Sequence, residues 1–177
     1  GEVAAMLVRV IGTPVNKSGS QSMGDVYGNV TINTSNVSLR NTTIVGNLYI
    51  TGGVNLGNVL LENVTVLGRI VISGGGESDA SKDSVTLRNV VAEELVVDSM
   101  VDQFVTVLVQ GVSDIPLASV RTNAYLNDSS WPGYGLTRIE QDGASLLQLA
   151  GSVKEAVNLT PSSDLQLVQG SAERITV

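Results

Sequence analysis

The chain has 177 residues and a formal net charge of −7, and this acidic balance argues against a nucleic-acid partner because phosphate backbones would be repelled. It contains neither cysteine nor histidine, which excludes disulfides, thiolate chemistry and histidine-based acid–base or metal chemistry. Aromatic residues make up only 3% of it, so a narrow aliphatic β core is predicted. No apolar run is long enough to span a membrane.

The first segment, residues 1–23, is predicted to be an N-terminal cap. Its stretch 2–10 is apolar enough to lie across the first unit of the repeat that follows.

A repeat begins at residue 24. The segments Gly28-Asn-Val-Thr-Ile, Gly46-Asn-Leu-Tyr-Ile and Gly68-Arg-Ile-Val-Ile resemble each other, and 18 and then 22 residues separate them. Each is followed by a second apolar segment, and these begin at Val37, Val59 and Val85. Repetition at a fixed spacing of this size indicates a repeat architecture.

Apolar and polar residues alternate within both segments of every unit, which is typical of short strands with one buried face. One unit is too small to fold alone, but parallel strands stacked ~4.8 Å apart bury a continuous aliphatic column. We therefore predict an all-β fold, a single-stranded parallel β-helix (a solenoid) over residues 24–177, with coils of about 18 to 22 residues. The predicted inward pairs are Val30/Ile32, Val37/Leu39, Leu48/Ile50, Val59/Leu61, Ile70/Ile72 and Val85/Leu87.

The hand of the solenoid has two alternatives. Eighteen residues also equal three hexapeptides, the unit of left-handed helices. The corners differ in length and no six-residue repeat is sustained, so we favour a right-handed winding.

Two ladders are predicted at equivalent positions of successive coils. Asn41, Asn63 and Asn89 fall at one corner, where stacked amides can hydrogen-bond. Arg40, Glu62 and Arg88 fall at one outward position, where alternating charges avoid repulsion. Both ladders are interpreted as structural. A further outward stack, formed by Thr31, Tyr49 and Val71 with Val96 beside it, is a possible contact strip.

The glycine-rich insertion from Ser73 to Ser84 is predicted to project from a corner as a mobile lip. Its acidic residues Glu77, Asp79 and Asp83 are weak candidates for a calcium site, but acids in a flexible loop are more often simply solvated. We therefore predict no metal site, and no cofactor.

The rest of the chain is interpreted as weaker coils interrupted by one loop. The middle segments 105–109 and 118–126 are predicted to be degenerate coils, and residues 127–135 an irregular loop. This loop carries Trp131 and Tyr134, which either stack on sugar rings or, for Trp131, fold back over the aliphatic column.

Near the end, two pairs of segments repeat at an offset of 18 residues. Leu147-Gln-Leu matches Leu165-Gln-Leu, and Val157-Asn-Leu matches Ile175-Thr-Val. A further domain of a longer parent protein, or a second copy of this one, is expected to cover the final strand.

Three runs carry a resemblance to a known family: Val37-Ser-Leu-Arg-Asn-Thr-Thr-Ile-Val-Gly-Asn-Leu-Tyr-Ile-Thr-Gly-Gly-Val, Gly57-Asn-Val-Leu-Leu-Glu-Asn-Val-Thr-Val and Ile70-Val-Ile-Ser-Gly-Gly-Gly. They resemble β-helix modules of Gram-positive surface proteins. These modules often accompany S-layer-homology anchors, and the tāpirin adhesins are more distantly similar. The resemblance covers residues 24–100 most clearly. It implies an extracellular display or adhesion module at the cell surface, and it names no catalytic residue.

Two functional hypotheses follow. In the first, the chain is a non-catalytic module that binds polysaccharide or a cell-surface protein through its outer sheet and loops, with Trp131, Tyr134 and Tyr49 as candidate ligand-binding residues. In the second, it is a polysaccharide-cleaving lyase or hydrolase, since β-helices host both classes. A lyase is expected to place carboxylates and arginines together on one strand face, whereas the acids here are mostly isolated in the sequence.

Overall fold

The computed structural model describes residues 12–76, 84–99, 104–143, 146–158 and 163–176. These residues form thirteen strands and one short 3₁₀ turn, Gly52–Val54. The strands are β1 (Thr13–Val15), β2 (Gly19–Val26), β3 (Val30–Ile32), β4 (Val37–Ile44), β5 (Leu48–Ile50), β6 (Val59–Ile72), β7 (Val85–Val97), β8 (Val105–Gly111), β9 (Asp114–Val120), β10 (Ala124–Ser130), β11 (Gly135–Gln141), β12 (Leu146–Asn158) and β13 (Asp164–Thr176).

The strands stack in parallel as a β-solenoid of about 7 turns with roughly 21 residues per turn, which confirms the predicted fold. One series of pairings, here called face one, runs β1-β3-β5-β6-β7-β9-β11-β12-β13. The other, face two, runs β2-β4-β6-β7-β8-β10-β12-β13. The long strands β6, β7, β12 and β13 bend around a corner and contribute to both faces. The right-handed winding stays a prediction.

The aliphatic column lies inside the coils, as the alternation predicts. All twelve residues of the six predicted inward pairs are at most 1% exposed. The column continues through the middle of the chain, where Val107, Leu126 and Leu149 follow Val85 in register. The middle segments therefore form coils in register with their neighbours.

The register of the predicted outward stack on face one is confirmed, but Thr31 and Val96 are buried, at 7% and 3% exposed, so the stack is not an exposed strip. Thr31 pairs with Tyr49, Tyr49 with Val71, and Val71 with Val96. The Tyr49 side chain is half-buried by these neighbours, and its hydroxyl accepts a hydrogen bond from the Asn47 amide over 3.3 Å.

Stacked asparagines turn one corner of the solenoid. Asn41, Asn63 and Asn89 have φ values of 46°, 55° and 55°, a left-handed conformation that asparagine tolerates. The Asn63 amide donates to Asn41 Oδ1 (3.3 Å), and the Asn89 amide donates to Asn63 Oδ1 (3.0 Å). The ladder ends where Asn89 Oδ1 accepts from the Val112 N–H. Each side chain thus connects one coil to the next.

We expect Asn63→Ala to lower the free energy of unfolding by about 2 kcal/mol, because it removes a hydrogen-bonding link and places a Cβ-bearing residue without a polar side chain at positive φ. Asn63→Gly removes the same side chain but tolerates the backbone, so about 1 kcal/mol is expected. Urea-induced unfolding measures both. Equal losses would show that the backbone conformation contributes nothing at this corner.

The charge ladder stands on face two. Glu62 Oε2 lies 2.6 Å from Arg40 Nη1, and Glu62 Oε1 lies 3.2 Å from Arg88 Nη1. The Arg88 guanidinium also donates to Gln110 of the next coil. Pairs this exposed contribute little individually, so the ladder mainly favours the correct register between coils.

The boundaries of the repeat differ from those expected. Strands β1 and β2 pair with β3 and β4, so the stack already includes residues 13–26, ahead of the expected start at residue 24. A capping role for residues 1–11 concerns a segment outside the described residues. Residues 127–130 belong to β10, so the irregular loop is confined to the turn that follows this strand.

The offset of 18 residues holds for only one of the two C-terminal matches. Leu147 pairs with Leu165, but Val157 pairs with Thr176 rather than Ile175. A register shift after Leu149 inserts one extra residue, Val168, into β13. Most side chains of β13 are exposed. Among the residues that the structure describes, no helix has the length and hydropathy needed to cross a membrane.

Candidate functional site

The candidate site begins at the turn between β10 and β11. The Tyr134 N–H donates to the Trp131 carbonyl over 3.0 Å, which closes a four-residue turn with Pro132 and Gly133 at its centre. Proline fixes φ at the first central position, and Gly133 supplies the positive φ, 90°, that a type II turn requires at the second. The turn is anchored to the coil before it by a 2.8 Å hydrogen bond from the Trp131 N–H to the Gly111 carbonyl.

This turn holds two exposed aromatic side chains close together. Trp131 is 64% exposed and Tyr134 51% exposed, so Trp131 does not fold back over the aliphatic column. The two residues occupy the first and last positions of one tight turn, which keeps their backbones within 7 Å of each other. Both border a cleft of about 610 Å³, here called the aromatic cleft.

Two corner glycines contribute to the lining of the aromatic cleft. Below the turn, the next two coils pass the same corner at Gly151 and Gly170, with φ of 91° and 100°. A Cβ on Gly151 would lie 1.7 Å from the Asp128 carbonyl oxygen, and one on Gly170 would lie 1.9 Å from the Gly151 carbonyl oxygen. The coils therefore stack backbone on backbone at this corner. The lining also includes the polar residues Asn127, Ser129, Ser130, Ser152, Gln169 and Ser171, the apolar residues Leu136, Ala150 and Val153, and the charged residues Lys154 and Glu173.

A buried carboxylate holds the two strands around the turn. Asp128 is 4% exposed and occupies an inward position, in register with Val109. Its Oδ1 accepts from the Ser130 N–H (3.0 Å), and its Oδ2 accepts from the Leu136 N–H (2.6 Å). The side chain thus joins the end of β10 to the start of β11 and fixes the geometry of the aromatic turn. Both carboxylate oxygens are engaged, so we assign Asp128 a positioning role.

Tyr49 lies apart from the aromatic turn. It lines a second depression of about 460 Å³ on face one, here called the Tyr49 cleft. The remaining lining residues are Asn47, Gly68, Arg69, Glu93, Glu94 and Leu117. The structure therefore brings Trp131 and Tyr134 together and leaves Tyr49 in a separate cleft.

A cluster of charges on face one was missed by the sequence reasoning. Arg138 Nε lies 2.7 Å from Glu140 Oε1, and the same guanidinium also pairs with Glu155. Glu155 in turn pairs with Arg174 over 3.1 Å. Hydrogen bonds to Glu140 and then Glu155 raise the pKa of the Arg138 guanidinium above its ordinary value. The sequence did contain a signal for this cluster: the charges of Arg138, Glu155 and Arg174 alternate in sign along successive coils, as those of Arg40, Glu62 and Arg88 do.

The weak metal candidates Glu77, Asp79 and Asp83 lie outside the described residues. Their possible role stays a prediction.

Comparison of the chain with protein-family models, with curated proteins and with solved structures finds no match.

Proposed function

We propose that the chain is a non-catalytic, extracellular cell-surface module that binds polysaccharide at the aromatic cleft. The observation that carries this proposal is the pair of exposed aromatic residues, Trp131 and Tyr134, at the border of a cleft that six amide- or hydroxyl-bearing residues also line. An aromatic ring buries the apolar face of a sugar, while amides and hydroxyls satisfy its hydroxyl groups.

The scarcity of aromatic residues strengthens this interpretation. The whole chain has one tryptophan, four tyrosines and one phenylalanine, and two of these six are placed on one four-residue turn. Exposed aromatic residues at a concave surface are typical binding anchors, because they offer large contact area at low cost in side-chain entropy. The rigid solenoid supplies a preformed site, which further reduces the entropic cost of binding.

The test is a binding assay of the purified chain against insoluble cellulose, xylan, pectin and bacterial cell-wall preparations, with affinity electrophoresis in the soluble forms of the same polymers. We expect retention by at least one polysaccharide. Absence of retention by all of them would contradict the proposal.

We expect Trp131→Ala to weaken polysaccharide binding by about 2 kcal/mol, or roughly thirtyfold in affinity, because tryptophan anchors at concave sites lose this much when truncated. The matched control is Tyr27→Ala, which removes an aromatic ring that is 85% exposed and far from the cleft in the coil order. Tyr27→Ala should bind like the unsubstituted chain. A similar loss in both variants would indicate nonspecific adsorption through exposed rings.

The catalytic alternative has one observation in its favour. Arg138, Glu140, Glu155 and Arg174 bring carboxylates and arginines together on face one, as expected of a lyase. However, the Arg40–Glu62–Arg88 ladder has the same pattern on face two, and both ladders are accounted for by pairing between coils. Release of reducing ends or unsaturated products from the bound polymer, abolished by Arg138→Ala but not by Arg40→Ala, would establish the alternative.

A further inference from the structure

The aromatic cleft does not end beside its turn. Its lining residues Lys154 and Glu173 also line a neighbouring depression of about 490 Å³, together with Thr137, Glu155 and Arg174. The two depressions therefore share a wall, and the second of them lies on face one, where Thr137, Glu155 and Arg174 belong to β11, β12 and β13.

The Tyr49 cleft lies on the same strip of face one. Its residue Arg69 pairs with Glu94, and Glu94 pairs with Leu117. In the following coils, Leu117 pairs with Arg138, which continues the column toward the depression of about 490 Å³. The column ends with the pairs Arg138–Glu155 and Glu155–Arg174. Five coil steps separate Arg69 from Arg174, which corresponds to about 24 Å along the solenoid axis.

We call this strip the axial groove and define it by the column Arg69, Glu94, Leu117, Arg138, Glu155 and Arg174 together with the residue before each of them. The Tyr49 cleft covers its first three coils and the depression of about 490 Å³ its last three, and the two meet where Leu117 pairs with Arg138. Tyr49 lies one coil before Arg69, beside the start of this column. The turn with Trp131 and Tyr134 precedes β11, the strand of Arg138, and adjoins the column through the shared lining residues Lys154 and Glu173.

The chemistry along the axial groove suits a polyhydroxylated chain. Its charges alternate in sign and are mostly paired, as in Arg69–Glu94 (3.5 Å), so the groove presents no strong field of one sign. Lys154 and Glu173 are opposite each other, between the register pairs Val153–Ala172 and Glu155–Arg174, but no ion pair joins them in the described part of the chain. The ammonium and the carboxylate are therefore available to donate to and accept from sugar hydroxyls.

We infer that the ligand of the aromatic cleft is an extended, linear glycan chain that lies along the solenoid axis in the axial groove, from Trp131 and Tyr134 toward Tyr49. This inference rests on the proposed function and specifies its ligand: the interior of a long chain rather than a chain end or a short oligosaccharide. Contacts repeat at each coil, so each added sugar unit gains contacts until the groove is filled.

The test measures affinity as a function of chain length. Cello-, xylo- and galacturono-oligosaccharides, from disaccharide to hexasaccharide, are titrated calorimetrically against the unsubstituted chain and the variants Tyr49→Ala, Lys154→Ala and Trp131→Ala. Lys17→Ala is the matched control, because Lys17 is also an exposed lysine without an ion pair to a described residue and lies at the opposite end of the stack.

For the saccharide series that binds, we expect affinity to rise at least about tenfold from disaccharide to hexasaccharide. Tyr49→Ala should weaken hexasaccharide binding about fivefold and leave disaccharide binding unchanged, whereas Trp131→Ala should weaken both. Lys154→Ala removes a group at the junction of the two depressions and should also weaken hexasaccharide binding about fivefold. Far-UV circular dichroism verifies that each variant is folded. If Tyr49→Ala does not fold, Lys154→Ala still tests the inference, because Lys154 is exposed and its replacement does not disturb the core.

Two outcomes overturn the inference in different ways. Binding that depends on Trp131 but neither on chain length nor on Tyr49 and Lys154 would disprove the axial groove and leave the proposed function standing. Binding of no saccharide, or binding indifferent to Trp131, would disprove the proposed function and the axial groove together.

Discussion

Replacing Leu61 by alanine is expected to lower the free energy of unfolding by about 3–5 kcal/mol. Leu61 is completely buried in β6, between Leu39 of the preceding coil and Leu87 of the next. Its side chain therefore fills one layer of the aliphatic column, and truncation leaves a cavity that the neighbouring coils cannot close without losing their register. Urea-induced unfolding followed by far-UV circular dichroism measures the loss.

The adjacent residue provides a control of the same residue type. Leu60 precedes Leu61 on the same strand but points outward, in register with Ser38 and Thr86, and is only half-buried. We expect Leu60→Ala to cost about 1 kcal/mol or less. Comparable losses in the two variants would mean that the inward and outward faces of this strand are not distinguished energetically.

Much of the fold could be predicted from local patterns because a solenoid repeats a short-range arrangement. Alternation alone decided which residues of the early coils point inward, and the equivalence of Asn41, Asn63 and Asn89 set the register between coils. These features are detectable because stacked positions face the same environment, so the same kind of residue recurs there.

The structure departs from the sequence predictions where an inward position is not aliphatic or where a strand contains an extra residue. In the middle coils, the inward column includes Asp128, a carboxylate that is acceptable inside only because two backbone N–H groups satisfy it. In β13, Val168 is an extra residue in the strand, and a single insertion of this kind leaves the alternation on either side looking regular. Neither feature is visible without the paired strand beside it.

The candidate site was predicted in part. The aromatic residues and the turn formers of the 131–134 segment were identified from the sequence, and the structure places both rings in solvent. The cleft that they border was not foreseen, since its lining residues come from three successive coils that meet only in the folded chain. The position of Tyr49 relative to this cleft depends on the register of several successive coils of unequal length, and the spacing of residues in the sequence did not predict that register.

Gly151→Ala is expected to destabilise the protein by about 3 kcal/mol or more, with contributions from backbone strain and from overpacking. The Gly151 φ of 91° is unfavourable for any residue with a Cβ. In addition, the new methyl group would lie 1.7 Å from the Asp128 carbonyl oxygen, so the backbone of one coil has to move away from the next. Because Gly151 also lines the aromatic cleft, polysaccharide binding should weaken as well.

Gly143→Ala separates the two causes. Gly143 has a similar φ of 84°, but a Cβ there would meet its nearest neighbour, the Arg121 carbonyl oxygen, only at 3.9 Å. We therefore expect this control to show the conformational cost alone, about 1 kcal/mol. Its polysaccharide binding should be unchanged, because Gly143 is not among the residues that line the aromatic cleft. If both variants unfold at the same urea concentration, close stacking of the coils is not the reason that glycine is needed at position 151.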